Sequence, residues 1–315
     1  MVMDFWEAQR HARKQTCVYV ALFVFLTLIA AFLLELGTRY VARDQYNSPW
    51  PLLGLTFLAL TFTVAIVQYY CFATLGGRYV AESLGARKAS ASDRNEAQLL
   101  NIVEECAIAS SLPVPEVYII EAEQINAFAA GLSPDNAVIA ITAGTLKYLS
   151  RDEIQGVVAH EFGHIRNGDM KIGLRLAAMV MGFYCVIYLA LRLLRISGSG
   201  RVTSRRSGEN GRNPVLLIAV ALLLAGAATW LFGTILKTAT SRQREYLADA
   251  SSVQFTRNPL GLAGALHKIQ QETHKDMPRA GMAFSHLYLD DRSFFSFLFA
   301  THPPIKDRLE ALGKL

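Results

Sequence analysis

Four uncharged apolar runs constrain what this chain can fold into more than any other feature. Residues 17–34, 51–75 and 214–236 carry no charged side chain, and residues 176–191 form a shorter run between Arg175 and Arg192. A helix needs about 20 predominantly apolar residues to span a bilayer. The first, second and fourth runs reach that length. The third must borrow its flanks, with its arginines snorkelling to the interface. For the third and fourth, a hairpin buried against protein is the alternative. The runs explain why 52% of the 315 residues are hydrophobic. The first run lies deep and is not followed by a small-residue cleavage pattern, so it reads as a retained anchor rather than a signal peptide.

The apolar runs divide the chain into a membrane hairpin over 1–75, a soluble block over 76–172, a second hairpin over 173–237 and a second soluble block over 238–315. The Gly-, Ser- and Arg-rich connector 195–214 reads as a loop. The net charge of +5 is modest. Basic residues gather at membrane ends, with Arg10, Arg13 and Lys14 before the first run and Arg201, Arg205, Arg206 and Arg212 between the third and fourth. That placement suits anionic lipid headgroups as partners, and no aromatic-basic interleaving points to nucleic acid. Cys17, Cys71, Cys106 and Cys185 lack metal-ligand spacing and read as small buried hydrophobes.

Within the soluble blocks, Leu99, Ile102, Val103, Cys106 and Ala107 place the stripe of a helix over 95–111, which Pro113 and Pro115 end. Residues 117–120 and 137–142 read as strands, the second after the turn-like Ser133-Pro134-Asp135-Asn136. A short helix lies near Leu146. A longer one runs over 151–166, opened by a capping box of Ser150 and Glu153 and stopped by Asn167-Gly168. Helices are expected over 241–255, 261–272 and 303–312. The stretch 277–298 is aromatic-rich and has no evident period.

The helix over 151–166 carries His160-Glu161-Phe162-Gly163-His164. Residues four apart share one helical face, so His160 and His164 can bind a single Zn²⁺, one per chain. Glu161 can then act as general base on a water activated there. A catalytic zinc takes three protein ligands and keeps one position open. The third donor is sought in Ser241-Arg242-Gln243-Arg244-Glu245-Tyr246-Leu247-Ala248-Asp249. Glu245 and Asp249 lie four apart, so Glu245 can bind the metal while Asp249 accepts the distal N–H of a ligating histidine. The plainer alternative is a solvated helix face on which both acids pair with Arg242 or Arg244.

These two strings, followed by Thr301-His302-Pro303-Pro304, resemble the HtpX-like membrane zinc metalloproteases, bacterial relatives of the type I CAAX prenyl proteases. The resemblance covers residues 76 to the end, and the placement of the apolar runs agrees with it. It implies an α-rich α+β fold: a gluzincin-like zinc metalloprotease domain with a small edge-strand sheet, joined to about four transmembrane helices. It implies His160, His164 and Glu245 as zinc ligands, Glu161 as catalytic base and Asp249 behind the ligands. Asn126-Ala127-Phe128-Ala129 resembles the family's edge strand, which would hold an extended peptide by main-chain hydrogen bonds, with Asn126 adding a side-chain contact. His302 fits two roles, donor to the tetrahedral oxyanion or fixed start of the last helix beside Pro303 and Pro304. Asp169 reads as a brace for the motif helix, not a catalytic group. The segment 281–300, with Phe284, Phe294, Phe295, Phe297 and Phe299, is longer and more aromatic than in the smaller family members.

The implied activity is a membrane-embedded, zinc-dependent endopeptidase that cleaves misfolded or membrane-associated proteins in stress-responsive quality control. The implied location is the bacterial inner membrane, with several passes. Positive-inside counting of Arg10, Arg13, Lys14, Arg78, Arg87 and Lys88 favours the soluble blocks and the active site toward the cytoplasm, although Arg201, Arg205, Arg206 and Arg212 of the connector then lie outside unless the second hairpin does not cross. Such a chain has two rival readings. A non-catalytic zinc-binding membrane scaffold is disfavoured because every expected ligand and the base are present. A transporter is disfavoured because none of the runs carries a central acid or base, and Glu35 sits at an end.

Overall fold

The computed structural model describes residues 5–41, 43, 46–198, 214–239, 242–271 and 304–313. The elements are α1 (Phe5–Val41), α2 (Leu52–Ser83), β1 (Arg87–Lys88), α3 (Arg94–Ser110), β2 (Glu116–Ile120), β3 (Ala127–Ala130), β4 (Val138–Thr142), α4 (Ala143–Tyr148), α5 (Arg151–Asn167), α6 (Asp169–Gly198), α7 (Pro214–Ala239), α8 (Arg242–Thr256), α9 (Pro259–Gln271) and α10 (Ile305–Leu312). They fall into two units. One holds Tyr69–Ala177 with the described parts of Met1–Arg10 and Lys237–Leu315, and the other holds the described parts of His11–Gln68 and Ala178–Leu236.

The second unit contains α1 from His11, α2 as far as Gln68, α6 from Ala178 and α7 as far as Leu236. Val20–Tyr40, Leu52–Ser83 and Asp169–Ile196 are each long and apolar enough to cross a membrane, and Ile218–Leu231 is a shorter apolar stretch among the described residues. The third run thus lies within a much longer helix than its uncharged core, because α6 takes in the flanks that carry Arg175 and Arg192. Phe57, Val186, Ala190 and Leu222 pack with Ala30, Ala31 and Leu34 in this unit's core. Small residues let the helices approach closely: a Cβ on Gly182 would lie 2.6 Å from the Thr61 carbonyl oxygen. Phe25, Phe32, Leu33, Ile66 and Leu224 remain exposed, as lipid-facing side chains are.

Glu35 closes the first hairpin. Its Oε1 accepts from Arg39 Nε at 2.7 Å. Its Oε2 accepts from the Tyr46 hydroxyl at 3.1 Å and from the backbone N–H groups of Leu53 and Gly54 at 3.1 and 3.2 Å. Those two N–H groups open α2 and have no partner within that helix. The acid at the end of the first run is therefore the cap of the next helix.

The first unit is built on a four-stranded sheet of order β1-β2-β4-β3. β2 and β4 are parallel, with Val117 opposite Ile139 and Ile119 opposite Ile141. β3 is an edge strand, antiparallel to β4 through Ala127–Ile141 and Ala129–Ile139. This face packs with Leu99, Ile102 and Val103 of α3 and with Val158, Phe162 and Ile165 of α5. Gly76, at φ 61°, kinks α2, and the backbone of Gly77 then runs against the Ala130 carbonyl with no room for a Cβ. The expected helices and strands occur within a residue or two of their sequence boundaries. The edge strand implied by the resemblance at 126–129 is β3, and the difference is β1, which has no strand-like pattern of its own. Residues 281–300 and His302 lie outside the described residues.

Removing the Glu35 carboxylate takes the acceptor from the Gly54 N–H and leaves the Leu53 N–H with the Tyr46 hydroxyl alone, at 3.2 Å. Glu35→Ala is expected to destabilise the protein by about 1–3 kcal/mol, with Glu35→Gln losing less. Thermal unfolding of the detergent-solubilised chain checks this.

Candidate metal centre

Helix α5 begins at the capping box. The Ser150 N–H donates to Glu153 Oε2 at 2.6 Å, and the Glu153 N–H donates back to Ser150 Oγ at 3.4 Å. It ends where Gly168 takes the left-handed conformation at φ 73°. Between these stops, the face carrying Val157, Val158, Phe162 and Ile165 is buried. His160 and Glu161 are buried with it, at 0% and 3% exposure.

Helix α8 packs along α5 at points with little side-chain bulk. A Cβ on Gly163 would lie 3.0 Å from Ala248 Cα. About two turns back along α5 and one turn on along α8, Ser252 Oγ donates to the Gly156 carbonyl at 2.8 Å. As the contacts move back along α5 they move forward along α8, so the two helices are antiparallel. This packing carries Glu245 to the two histidines. Glu245 Oε2 is 3.6 Å from His160 Nε2, and its Oε1 is 3.5 Å from His164 Nε2. The two Nε2 atoms are 3.2 Å apart. Within each residue one ligand atom can be chosen so that all three lie within 4.8 Å of one another. Glu245 and Asp249 are 3% and 1% exposed, which rules out the solvated-face alternative.

Each histidine is held from behind by a carboxylate that an arginine also contacts. His160 Nδ1 is 2.9 Å from Asp249 Oδ1. Arg308 of α10 forks onto Asp249 through Nε at 2.9 Å and Nη2 at 2.7 Å, and its Nη1 is 3.5 Å from Glu245 Oε2. Arg308 Nη2 also lies 3.5 Å from His160 Nδ1. Both nitrogens act as donors to Asp249, so that approach reflects a shared acceptor rather than a bond between them. On the other side, His164 Nδ1 is 3.1 Å from Asp169 Oδ2, and Asp169 Oδ1 is 3.4 Å from Arg244 Nη1. Neither Arg308 nor the Asp169–His164 contact has a motif-like signal. Asp169 stands just past the helix stop, and Arg308 sits far along the chain on the polar side of an ordinary amphipathic helix.

The electrostatics call for a cation at this point. Burial lowers the His164 pKa, but Asp169, Glu245 and Glu161 together outweigh it and raise the value to about 9. Burial raises that of Asp249, yet the His160 hydrogen bond and the Arg308 charge bring it down to about 2. Among the described residues, Glu161, Glu245, Asp249 and Asp169 gather around this point with the guanidinium groups of Arg244 and Arg308 beside them. With both Nδ1 atoms engaged by carboxylates, both Nε2 lone pairs turn toward the same point. The donor set therefore fits a metal ion.

Asn126 precedes the edge strand and is fully buried. Its backbone N–H reaches Thr142 Oγ1 at 3.0 Å and Thr145 Oγ1 at 2.9 Å, and its Oδ1 accepts from the Ala127 N–H at 2.9 Å. Ala127 and Phe128 open β3, with exposures of 1% and 0%.

A helical His-Glu-x-x-His pair completed by a carboxylate from a second helix defines a class, the metal-dependent peptidases. The sequence profile described as Peptidase family M48 matches residues 93–315, and this chain belongs to that family. A protein described as "Protease HtpX homolog" from Caldanaerobacter subterraneus subsp. tengcongensis is 37% identical over 295 residues, which cover 93% of this chain and 94% of the relative. One of the same description from Streptococcus uberis is 32% identical over 314 residues, covering 98% and 99%. The crystal structure of S. mikatae Ste24p is similar at a TM-score of 0.47 and 19% identity, over 91% of this chain and 66% of that one. With three helices long and apolar enough to cross a membrane and its two HtpX-described relatives, the chain is a multi-pass membrane peptidase.

Two variants test how the centre is held. Arg308→Met leaves Asp249 and Glu245 buried without their guanidinium, so it is expected to destabilise the metal-free protein by about 3–5 kcal/mol, read by thermal unfolding. Gly163→Ala forces α8 to give by a few tenths of an ångström. It is expected to weaken metal binding on the order of tenfold in chelator competition, with the helical content unchanged.

Proposed function

We propose that the protein is a zinc-dependent endopeptidase of the bacterial inner membrane. In this reading His160, His164 and Glu245 hold the ion and Glu161 is the general base. The observation that carries it is the meeting of two Nε2 atoms and one carboxylate from opposed helices, with both Nδ1 atoms engaged behind them. Two imidazoles and one carboxylate suit zinc and leave a position open. When bound, zinc lowers the pKa of water toward about 7 and polarises a carbonyl.

The side chains supply the rest. Glu161 takes the proton of the attacking water and passes it to the departing amine. Asp249 keeps the His160 imidazole in the Nδ1–H tautomer, so that its Nε2 faces the centre. The substrate lies extended along β3, the edge strand of the sheet, and adds a strand to it. The Asn126 amide contacts its backbone where β3 begins. Phe128, whose side chain is buried in the sheet, contributes through its main chain.

Misfolded or membrane-associated proteins are the substrate class this reading favours. His164 lies five residues before the start of α6, and Glu245 follows the end of α7 by six. Both ligand helices are thus joined in sequence to apolar helices. The basic residues on either side of the first hairpin support a cytoplasmic active site by positive-inside counting.

Glu161→Gln is expected to retain zinc and to lose about 10²–10⁴-fold in the cleavage of an unfolded protein such as casein. Metal analysis and a cleavage assay on the same preparation check it. Cleavage at the wild-type rate would remove Glu161 from its assigned role.

A further inference from the structure

We infer that Asp169, the first residue of α6, is a positioning residue of the metal centre: it fixes the His164 ring and, through Arg244, ties the two ligand-bearing helices together. This rests on the reading of His164 and Glu245 as metal ligands.

The geometry begins at Gly168. Its left-handed backbone ends α5 and lets α6 start at the very next residue. The turn sends the Asp169 carboxylate back toward His164, five positions earlier in the chain. One oxygen, Oδ2, is 3.1 Å from His164 Nδ1. The other, Oδ1, is 3.4 Å from Arg244 Nη1. All three side chains are largely shielded, at 17%, 12% and 15% exposure for His164, Asp169 and Arg244.

Arg244 directly precedes Glu245 in α8. One carboxylate therefore touches the helix that carries both histidines and the helix that carries the third donor. Its effect on His164 follows from ring chemistry. An imidazole with Nδ1–H held by an acceptor has its lone pair on Nε2 and one preferred rotation about its Cβ–Cγ bond. Here that rotation puts Nε2 within 3.5 Å of Glu245 Oε1 and 3.2 Å of His160 Nε2. His160 receives the same service from Asp249, which the four-residue spacing on α8 makes legible. His164 receives it from an element that neither motif includes.

The competing account is that Asp169 only starts α6, since an acid in a first turn favours a helix. That role alters stability and leaves the metal untouched, so metal binding separates the two accounts. Wild type, Asp169→Ala, Asp169→Asn, Arg244→Ala and His164→Ala would be purified as full chains in detergent. Zn²⁺ affinity would be read by competition with a chromophoric chelator, the coordination sphere by the visible spectrum of the Co²⁺ form, and the fold by thermal unfolding.

Asp169→Ala is expected to weaken zinc binding by about 10–100-fold and to change the cobalt spectrum. Asp169→Asn keeps an acceptor for Nδ1–H and is expected to recover part of the loss. Arg244→Ala is expected to show a smaller loss. Asp169→Ala with wild-type affinity and spectrum, whatever its melting point, overturns the inference. Should Asp169→Ala fail to fold, Asp169→Asn and Arg244→Ala decide, and unchanged affinity in both overturns it. Wild-type affinity in His164→Ala would instead overturn the ligand assignment, and the inference with it.

Discussion

Helices α5 and α8 meet at a glycine, and the rest of the centre depends on that contact. A side chain at Gly163 would press on the Ala248 backbone, and Ser252 closes the same interface by bonding to the Gly156 carbonyl. Only with the two backbones this close does Glu245, three residues before Ala248, reach the histidines. Short side chains are common where helices approach closely, but here the reason is more than packing. A carboxylate has a short reach, so the interhelical distance sets whether the third donor arrives at all. The sheet and α3 support this arrangement by burying the opposite face of α5, so that the motif helix has a single placement.

The second constraint is charge. Burying four carboxylates near one point is unfavourable unless cations accompany them. Two arginines from different elements, Arg244 and Arg308, meet part of the demand, and a metal ion meets the remainder. Before an ion binds, the raised proton affinity of His164 supplies a positive charge in the same place. Proton and metal therefore compete for one position, which is how a preformed ligand set behaves. The carboxylates behind the imidazoles serve in both states.

Much of this was legible in the sequence, and the parts that were not have physical reasons. The His160–His164 pair could be read because a helix turns residues four apart into neighbours. The Ser150–Glu153 box and Gly168 marked the ends of α5 because caps have local chemistry. Glu245 and Asp249 could be singled out only because a histidine pair requires another donor. Strand β3 is different. Ala127-Phe128-Ala129-Ala130 has no strand propensity of its own, and its conformation comes from pairing with β4. β1 has only two residues and is likewise defined by its neighbour. Arg308 was silent because one basic residue on an amphipathic helix looks solvated, whereas in the fold it is 1% exposed. Glu35 stands out in the sequence at the end of an apolar run, but its task as cap of the next helix is a tertiary fact.

Arg308 also sets an order of events. It arrives more than a hundred positions after His164, on a helix anchored by Leu309 and Leu312 against Leu262 and Leu266. A chain still being synthesised can carry α5 and α8 before α10 has emerged from the ribosome. At that stage Asp249 and Glu245 lack their guanidinium partner, and His160 is held by an acid that would rather face water. Competence thus comes late in biosynthesis, and an unfinished copy of this peptidase is poorly equipped to attack its neighbours.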